Sequence, residues 1–502
     1  MPRGHCTLPP DASGRILDRL TGLEQVIPPE AVRQALQATG RINPRSCRLT
    51  YEVICWVVLA MGILTELPIR RVFKHARRLR VGEPTPHRSS LCVGRQRLGI
   101  APVRRLFEQV VHPLARPETP GAFYHGFRLV GLDSTIYDVP DSRANAAAFA
   151  RPSAGPRGAG AFPQVRKLSL VELGPHVELD FVVRSIAHGE QSMVGGLLRH
   201  LTAEMLLLWD RNFFGYGLWG EVTSRGAMIL ARVKSNLILE PIRHLADGSY
   251  LARIYRTPED RRKERGGMVV RVIRYTLDDP QRVGHGEVHT LITSLYDEDL
   301  YPAKELIMLY HERWEQELVY DEQKVHQDPP RVTKPAHLRS ETPAGVIQEV
   351  YALSLGHFVT RALMFEAAAT AGLDTDRLSF LGCFQILKCR LPECDSSTPG
   401  RFEQWYRGLL WEMQRERTDD EVRRNRINPR VVKQKMSKYK KKRPEHRRIP
   451  PLKKTFAETV VMLRKTVLAL ARGSHATSVA VEEALVTSQG FSPTPIVCDF
   501  AM

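Results

Sequence analysis

The chain has no apolar run long enough to cross a bilayer. Its longest, Val53 to Leu64, is twelve residues, against the roughly 20 that a spanning helix needs, so it reads as a buried helix. The N-terminus, Met1-Pro2-Arg3-Gly4-His5-Cys6, carries no apolar signal core, and the chain is expected in the cytosol. Cysteine is sparse, with eight in 502 residues and no Cys-x-x-Cys pair. The closest cluster, Cys383, Cys389 and Cys394, is spaced too widely for a zinc site and is read as reduced thiols. No Gly-rich nucleotide-binding loop and no internal repeat occur, which gives ATP-driven chemistry and solenoid folds no support. Negative charge is also short, at 55 acidic against 73 basic residues. The resulting net charge of +18 and pI near 9.7 make a polyanion the expected partner, nucleic acid ahead of a membrane surface.

What remains is globular. Apolar residues at 43% and charged residues at 25% exclude wholesale disorder, collagen and coiled coil. The length suggests about three domains. Residues 1–120 read as a helical domain, with helices starting at Pro29 and covering Tyr51–Leu64 and Ile69–Arg80. Within it Arg70, Arg71, Lys74, Arg77, Arg78 and Arg80 line DNA on one reading and form a solvated helix face on the other.

From Phe127 short apolar strands are expected: Phe127–Leu132, Thr135–Val139, Lys167–Leu173 and Glu178–Val183. A helix over Glu190–Ala203 and a fully buried strand at Met205–Trp209 follow, and Arg151–Pro163 reads as a loop. This is a mixed α/β domain over 121–385. Residues 217–297 read as a β insertion inside it, with strands at Ala227–Val233, Met268–Tyr275 and Val288–Ser294. One long helix is expected from Pro302 to Gln327, stopped by Asp328-Pro329-Pro330, and another from Ala344 to Ala371. Residues 386–502 form a basic, mainly helical region. Its stretch Val422–Lys454 holds fifteen Lys or Arg against Glu445, or +14 of the chain's +18, which suits phosphate binding. Phe456–Arg472 is expected to be an amphipathic helix.

The chemistry concentrates in three carboxylates. Asp133 follows Leu129-Val130-Gly131-Leu132 and Asp210 follows Leu206-Leu207-Leu208-Trp209. Each reads either as a cap or turn residue, or as a ligand group beyond the carboxyl end of a strand. On the long helix, Tyr310, Arg313, Glu317 and Lys324 are spaced 3, 4 and 7. At about 100° per residue they fall within about 60° of one face. The bland reading is a solvated face with an i,i+4 ion pair. Against it, Leu306, Leu309, Trp314, Leu318, Val319 and Val325 give this helix much apolar surface to bury, so the charged face should border a cleft. Asp133, Asp210 and Glu317 together suit two hard divalent cations, with Arg313 and Lys324 clamping phosphates beside them. That arrangement suits phosphodiester cleavage and transfer. Asp138, five residues on from Asp133, falls on the opposite pleat face, and Asp141 reads as a turn residue.

The pattern Tyr310-x2-Arg313-x3-Glu317-x6-Lys324 resembles the Tyr-Arg-Glu-Lys signature of DDE transposases from a large group of bacterial insertion sequences. Gly131-Leu132-Asp133-Ser134-Thr135 resembles that family's first-Asp motif, with Ser134 in place of the common Gly. Trp209-Asp210-Arg211-Asn212-Phe213-Phe214-Gly215 resembles the second, with Asn212 where Gly is frequent. The resemblance implies an RNase H-like core interrupted by the β insertion. Asp133, Asp210 and Glu317 would then bind two Mg²⁺, with Mn²⁺ able to substitute, and Tyr310, Arg313, Trp314 and Lys324 would hold the DNA of the transposon ends. Trp219, in the insertion, is read as core or, less favourably, as a platform for a flipped base. The implied reaction is cut and paste: strand hydrolysis at each terminal inverted repeat, a hairpin, its reopening, and transfer to target DNA by a homodimeric synaptic complex associated with the bacterial nucleoid. The rival expectations are a protein that binds transposon ends without cutting and a metal-dependent nuclease without strand transfer.

Overall fold

The computed structural model describes residues 17–42, 49–78, 82, 84–152, 158–280, 282, 284–329, 338–394, 399–418 and 454–463. Helices come first, as the periodicity predicts: α1 (Pro29–Ala38), α2 (Tyr51–Ile63), α3 (Ile69–His75), α4 (Arg88–Leu98) and α5 (Ala101–Val110). Next are β1 (Phe123–Tyr124), β2 (Phe127–Asp138), α6 (Arg143–Phe149), β3 (Gln164–Glu172), β4 (Val177–Ser185) and β5 (Met205–Trp209). The stretch that follows holds α7 (Tyr216–Thr223), β6 (Met228–Arg232), β7 (Arg243–His244), β8 (Tyr250–Ile254), α8 (Pro258–Arg262), β9 (Met268–Leu277), β10 (His289–Thr293) and α9 (Ala303–His311). Then come α10 (Glu315–Asp321), α11 (Pro343–Thr370), α12 (Phe380–Arg390) and α13 (Pro399–Met413), with α14 (Phe456–Thr459) and β11 (Val460–Met462) last.

These elements form two compact units, residues 1–208 with 313–418, and residues 209–312 with 419–502. In the first, the strand order is β4-β3-β2-β5, with β1 also on β2. The pairing of β2 with β3 is antiparallel and sets Asp133 opposite Ser169. Helix α11 is the spine of this unit. Thr342 caps it through Gly345 N, and Pro343 opens its first turn, where a missing N–H costs nothing. It is buried along most of its length and packs on α2, which is itself apolar on every side. Their approach is so close that a Cβ on Gly62 would lie 1.9 Å from the carbonyl oxygen of Ala352.

In the second unit, the antiparallel order is β6-β10-β9-β8-β7, and β11 joins the far end of β9 by setting Val460 opposite Leu277. The ring of Phe456 stacks on His311, with centroids 4.0 Å apart. The stretch 217–297, expected to be all β, holds strands β6 to β10 together with the helices α7 and α8.

Several expected elements differ. The strands foreseen at Phe127–Leu132 and Thr135–Val139 are one twelve-residue strand, β2, so Asp133 lies inside a strand rather than beyond its end. Glu190–Ala203 is not an α-helix but two 3-10 turns, Gln191–Gly196 and Leu198–His200; Gly195 and Gly196 weaken a longer helix there. The helix expected over Pro302–Gln327 is wound in three ways: α through His311, 3-10 over Glu312–Trp314, α over Glu315–Asp321 and π over Glu322–Gln327. Phe456–Arg472 is not one helix either; α14 lasts four residues, and Val460-Val461-Met462 is drawn into the sheet, as two β-branched residues in a row favour. Residues 464–472 and Val422–Lys453 lie outside the described residues, as does Arg80. The described cysteines, Cys55, Cys92, Cys383, Cys389 and Cys394, form no disulfide among the described residues. Among the described residues no helix is long and apolar enough to cross a membrane.

Replacing Gly62 by Ala should force α2 and α11 apart, because the obstacle is backbone. Overpacking of this kind costs about 1–3 kcal/mol, which in a protein of this size lowers the melting temperature by several degrees. An unchanged melting temperature would mean that the helices shift at no cost.

Candidate active site

Strand β2 carries the first carboxylate. Asp133 Oδ1 accepts a hydrogen bond from the N–H of Ser134 at 2.8 Å, and its main-chain carbonyl accepts one from the Tyr320 hydroxyl at 2.5 Å. Across from it, Arg313 sits on the 3-10 turn that precedes α10, with Glu317 one α-helical turn further on. The guanidinium of Arg313 reaches both carboxylates, 3.9 Å from Asp133 Oδ2 and 3.2 Å from Glu317 Oε1. Arg313 is buried, Asp133 is about a quarter exposed and Glu317 is 39% exposed, so the group opens to solvent on the Glu317 side.

The close approach of β2 to this helix depends on Gly131, where a Cβ would meet Gln316 Oε1 at 2.4 Å. Gln316 in turn donates to the Ser169 carbonyl at 3.0 Å. Lys324, from the π segment, lies along the same strand and donates to the Ile136 carbonyl at 2.8 Å and to Thr135 Oγ1 at 3.3 Å. The partly buried Trp314 lies beneath the Arg313 guanidinium, 5.6 Å from carbon to ring centroid.

Asp210 and Tyr310 belong to the second unit. Asp210 directly follows β5, is partly exposed, and caps the next turn: its Oδ1 accepts from Arg211 N at 2.7 Å and its carbonyl from Phe213 N at 3.0 Å. Tyr310 is buried and donates to the carbonyl of Trp209 at 3.3 Å, one residue before Asp210. Trp219 is on α7 rather than in a strand and is 1% exposed, a core position that leaves no face for a base.

The Asp133 carboxyl is pushed up to about 7. Burial is the main cause; Arg313 and the Ser134 N–H oppose it, and the carboxylates of Glu317 and Glu190 add to it. Glu190 escaped the sequence reading. It receives the Ser134 hydroxyl at 2.6 Å and Arg166 at 2.7 Å, and only the return of the β3–β4 hairpin brings it beside Asp133. Arg166, which pairs with Glu190, and Tyr320, which reaches the Asp133 carbonyl from α10, were missed because both contacts join residues distant in the chain. Ser134, noted only as a departure from the family pattern, turns out to anchor this acidic neighbour. Among the basic residues of the helical region, Arg70, Arg71, Lys74 and Arg78 are exposed, whereas Arg77 is buried, stacks on Phe73 and donates to Thr85.

Residues 17–108 match the family model for the N-terminal region of the insertion element 4 transposase, and residues 125–339 match the model for the transposase DDE domain. The chain belongs to the insertion element 4 group of DDE transposases. It is similar to the InsG transposase for insertion sequence element IS4 of Escherichia coli, 28% identical over 84% of this chain and 93% of that protein. It is also similar to the putative transposase InsZ of the same organism, 23% identical over 44% of this chain and 71% of that protein. Among solved structures, a piggyBac transposase synaptic complex with hairpin DNA aligns over 79% of this chain and 86% of that chain, at 11% identity and a TM-score of 0.41. The protein is therefore a transposase enzyme with a mixed α/β fold and a DDE domain, acting by DNA strand cleavage and transfer with divalent metal ions.

Because a charged Asp133 is held against its surroundings, its ionisation works against the fold. With the folded pKa raised above the ordinary carboxyl value, stability falls as pH rises from about 4 to about 7 and stays low above that. Asp133→Asn should therefore raise the melting temperature of the metal-free protein, and raise it more at pH 8 than at pH 4. Equal gains at both pH values would place the carboxyl in an ordinary polar setting.

Proposed function

We propose that Asp133, Asp210 and Glu317 form the catalytic triad of this transposase and would hold two Mg²⁺ ions, with Mn²⁺ as a substitute. The observation that carries the reading is Arg313, a signature residue placed within ion-pair reach of both Asp133 and Glu317. The donors suit hard cations: all are carboxylates, and burial, with a lesser part from the like charge of Glu317 and Glu190, raises the Asp133 pKa, a cost that a bound cation would relieve. Such ions, when bound, activate water or a 3′ hydroxyl and steady the leaving oxygen. The chain's own residues supply the rest. Arg313, carrying a planar fork, orients an end phosphate, and Lys324 adds a point charge further along β2. Tyr310 stiffens the strand end before Asp210 through the Trp209 carbonyl, and Trp314 backs the Arg313 guanidinium.

On this reading the substrate is double-stranded DNA, the terminal inverted repeats and then the target, handled by a homodimer near the bacterial nucleoid in the cytoplasm. Residues 1–120 contribute DNA contacts through Arg70, Arg71, Lys74 and Arg78, and the Val422–Lys454 run contributes phosphate affinity. Cut and paste through a hairpin needs only phosphoryl transfers at one site.

The test is excision in cells: the gene with its native flanking DNA on a plasmid, scored by amplification across the donor junction. Glu317→Gln keeps shape but removes a ligand charge, so it should bind ends and give no excision. Excision at the wild-type level would remove Glu317 from the mechanism. Lys324→Ala should reduce the slope of log affinity against log salt by about one ion; an unchanged slope places Lys324 away from phosphate.

A further inference from the structure

The π segment Glu322–Gln327 follows Glu317 and contains Lys324, the last signature residue, and it is held by side chains that the proposed chemistry does not use. Glu322 is 1% exposed. Its Oε2 accepts from Arg361 Nε at 2.9 Å and from His357 Nε2 at 2.8 Å, while its Oε1 meets a second Arg361 nitrogen and His176 Nδ1, the latter at 3.1 Å. The other nitrogen of His176 lies 2.5 Å from Glu315 Oε2. His176 thus spans from Glu315, two residues before Glu317, to Glu322, two residues before Lys324. It does so from the β3–β4 turn, where its own backbone is left-handed at φ 58°, a conformation that costs energy in a residue other than glycine.

The neighbours add to the grip. Gln323 accepts from Lys167 at 3.0 Å and from Tyr137 at 3.1 Å. Gln327 donates to the carbonyls of Gly62 at 2.7 Å and Leu353 at 2.8 Å. These partners come from β2, β3, α2 and α11, so four elements fix one turn and a half of helix. A π turn is rare and costs hydrogen-bond geometry, and it recurs at functional sites. Its looser winding changes the angle between Glu317 and Lys324 relative to a regular α-helix, and it sets Lys324 on Ile136 and Thr135.

We propose that Glu322, clamped by Arg361 and His176, is a positioning residue that holds the π winding and thereby sets Lys324 and Glu317 against β2. This rests on the reading of Glu317 and Lys324 given above. His176, Glu315 and Asp376 do bring potential ligand atoms within 4.8 Å of one another. The geometry favours a hydrogen-bonded imidazole over a metal ligand, because Glu315 and Glu322 face its two nitrogens and Arg361 fills the space beside it.

The experiment uses the full-length protein with two conservative variants. Glu322→Asp keeps the charge and withdraws the carboxylate by one methylene, and Arg361→Lys keeps the charge and removes the fork. Each is compared with wild type and Glu317→Gln in melting temperature, in the salt dependence of binding to an uncleaved end duplex without metal, and in cleavage rate at saturating DNA with Mg²⁺. The expected result is folded protein whose log-log salt slope falls by about one, as in Lys324→Ala, and whose cleavage at saturation falls at least about tenfold, the equivalent of 1.4 kcal/mol. Folded variants with the wild-type slope and rate would overturn the proposal, as would stoichiometric zinc in the purified protein that is lost in the His176→Gln variant. If Glu322→Asp fails to fold, Arg361→Lys decides, and failure of both to fold would reduce the cluster to a folding role and overturn it. Wild-type cleavage by Glu317→Gln would instead overturn the active-site reading on which this one rests.

Discussion

The helix that carries Arg313 and Glu317 must bury polar side chains on its inner side, and much of the first unit follows from that constraint. Gln316, Glu322, Gln323 and Gln327 are at most 1% exposed, where an unsatisfied amide or carboxylate costs several kcal/mol. Each has to find specific partners, and those partners are scattered: Ser169 on β3, Arg361 and His357 on α11, Lys167 and Tyr137 on the sheet, and the Gly62 carbonyl at the end of α2. A regular α-helix places successive side chains at fixed angles and offers no freedom to meet such a set. The switch from 3-10 to α to π winding supplies that freedom, and the outward-facing residues inherit its consequences.

Buried ion pairs of this kind add little net stability, because desolvation offsets the attraction between the charges. What they provide is a single arrangement. Lys167 pairs with Glu178, Arg361 with Glu322, and Arg95 lies near Glu349 while donating to Gln348. Removing one partner leaves the other charged and dry, so slips of β3 against β4, or of the π segment and α4 against α11, are penalised heavily. An apolar core of the same volume would tolerate small slides between these elements. A contact set in which one guanidinium, Arg313, lies within 4 Å of both Asp133 and Glu317 does not.

This also explains what was legible beforehand. The spacing of Tyr310, Arg313, Glu317 and Lys324 on one helical stretch pointed to a shared face, and Arg313 does reach both Glu317 and Asp133. The alternation of β2 put Asp138 on the face away from Asp133, where it accepts from Gln164. What the pattern of apolar residues could not register was winding, because hydrophobic periodicity is blind to a single π turn whose partners lie as far as 265 residues away along the chain. Glu190 and Tyr320 were hidden for the same reason: their roles exist only through long-range contacts with Ser134 and with the Asp133 carbonyl. Tyr310 shows a further limit. Its place in the signature suggested a phosphate contact, which periodicity could not distinguish from the hydrogen bond that its hydroxyl makes to the Trp209 carbonyl.

Charge composition needs the same correction. Of the net +18, the stretch 422–454 carries +14, which leaves only +4 over the rest of the chain. Some of the remaining cations are internal: Arg77, Arg95, Lys167, Arg271 and Arg361 are buried, and four of these face the buried or half-buried acids Glu349, Glu178, Asp247 and Glu322. Outside the basic stretch, a polyanion therefore meets no general excess of positive field. Attraction there has to be local, from groups such as Arg70, Arg71 and Lys74, whose charge reaches water within a Debye length of about 8 Å. Composition alone thus predicts the class of partner, while the side on which that partner is met is decided by which arginines the core has consumed.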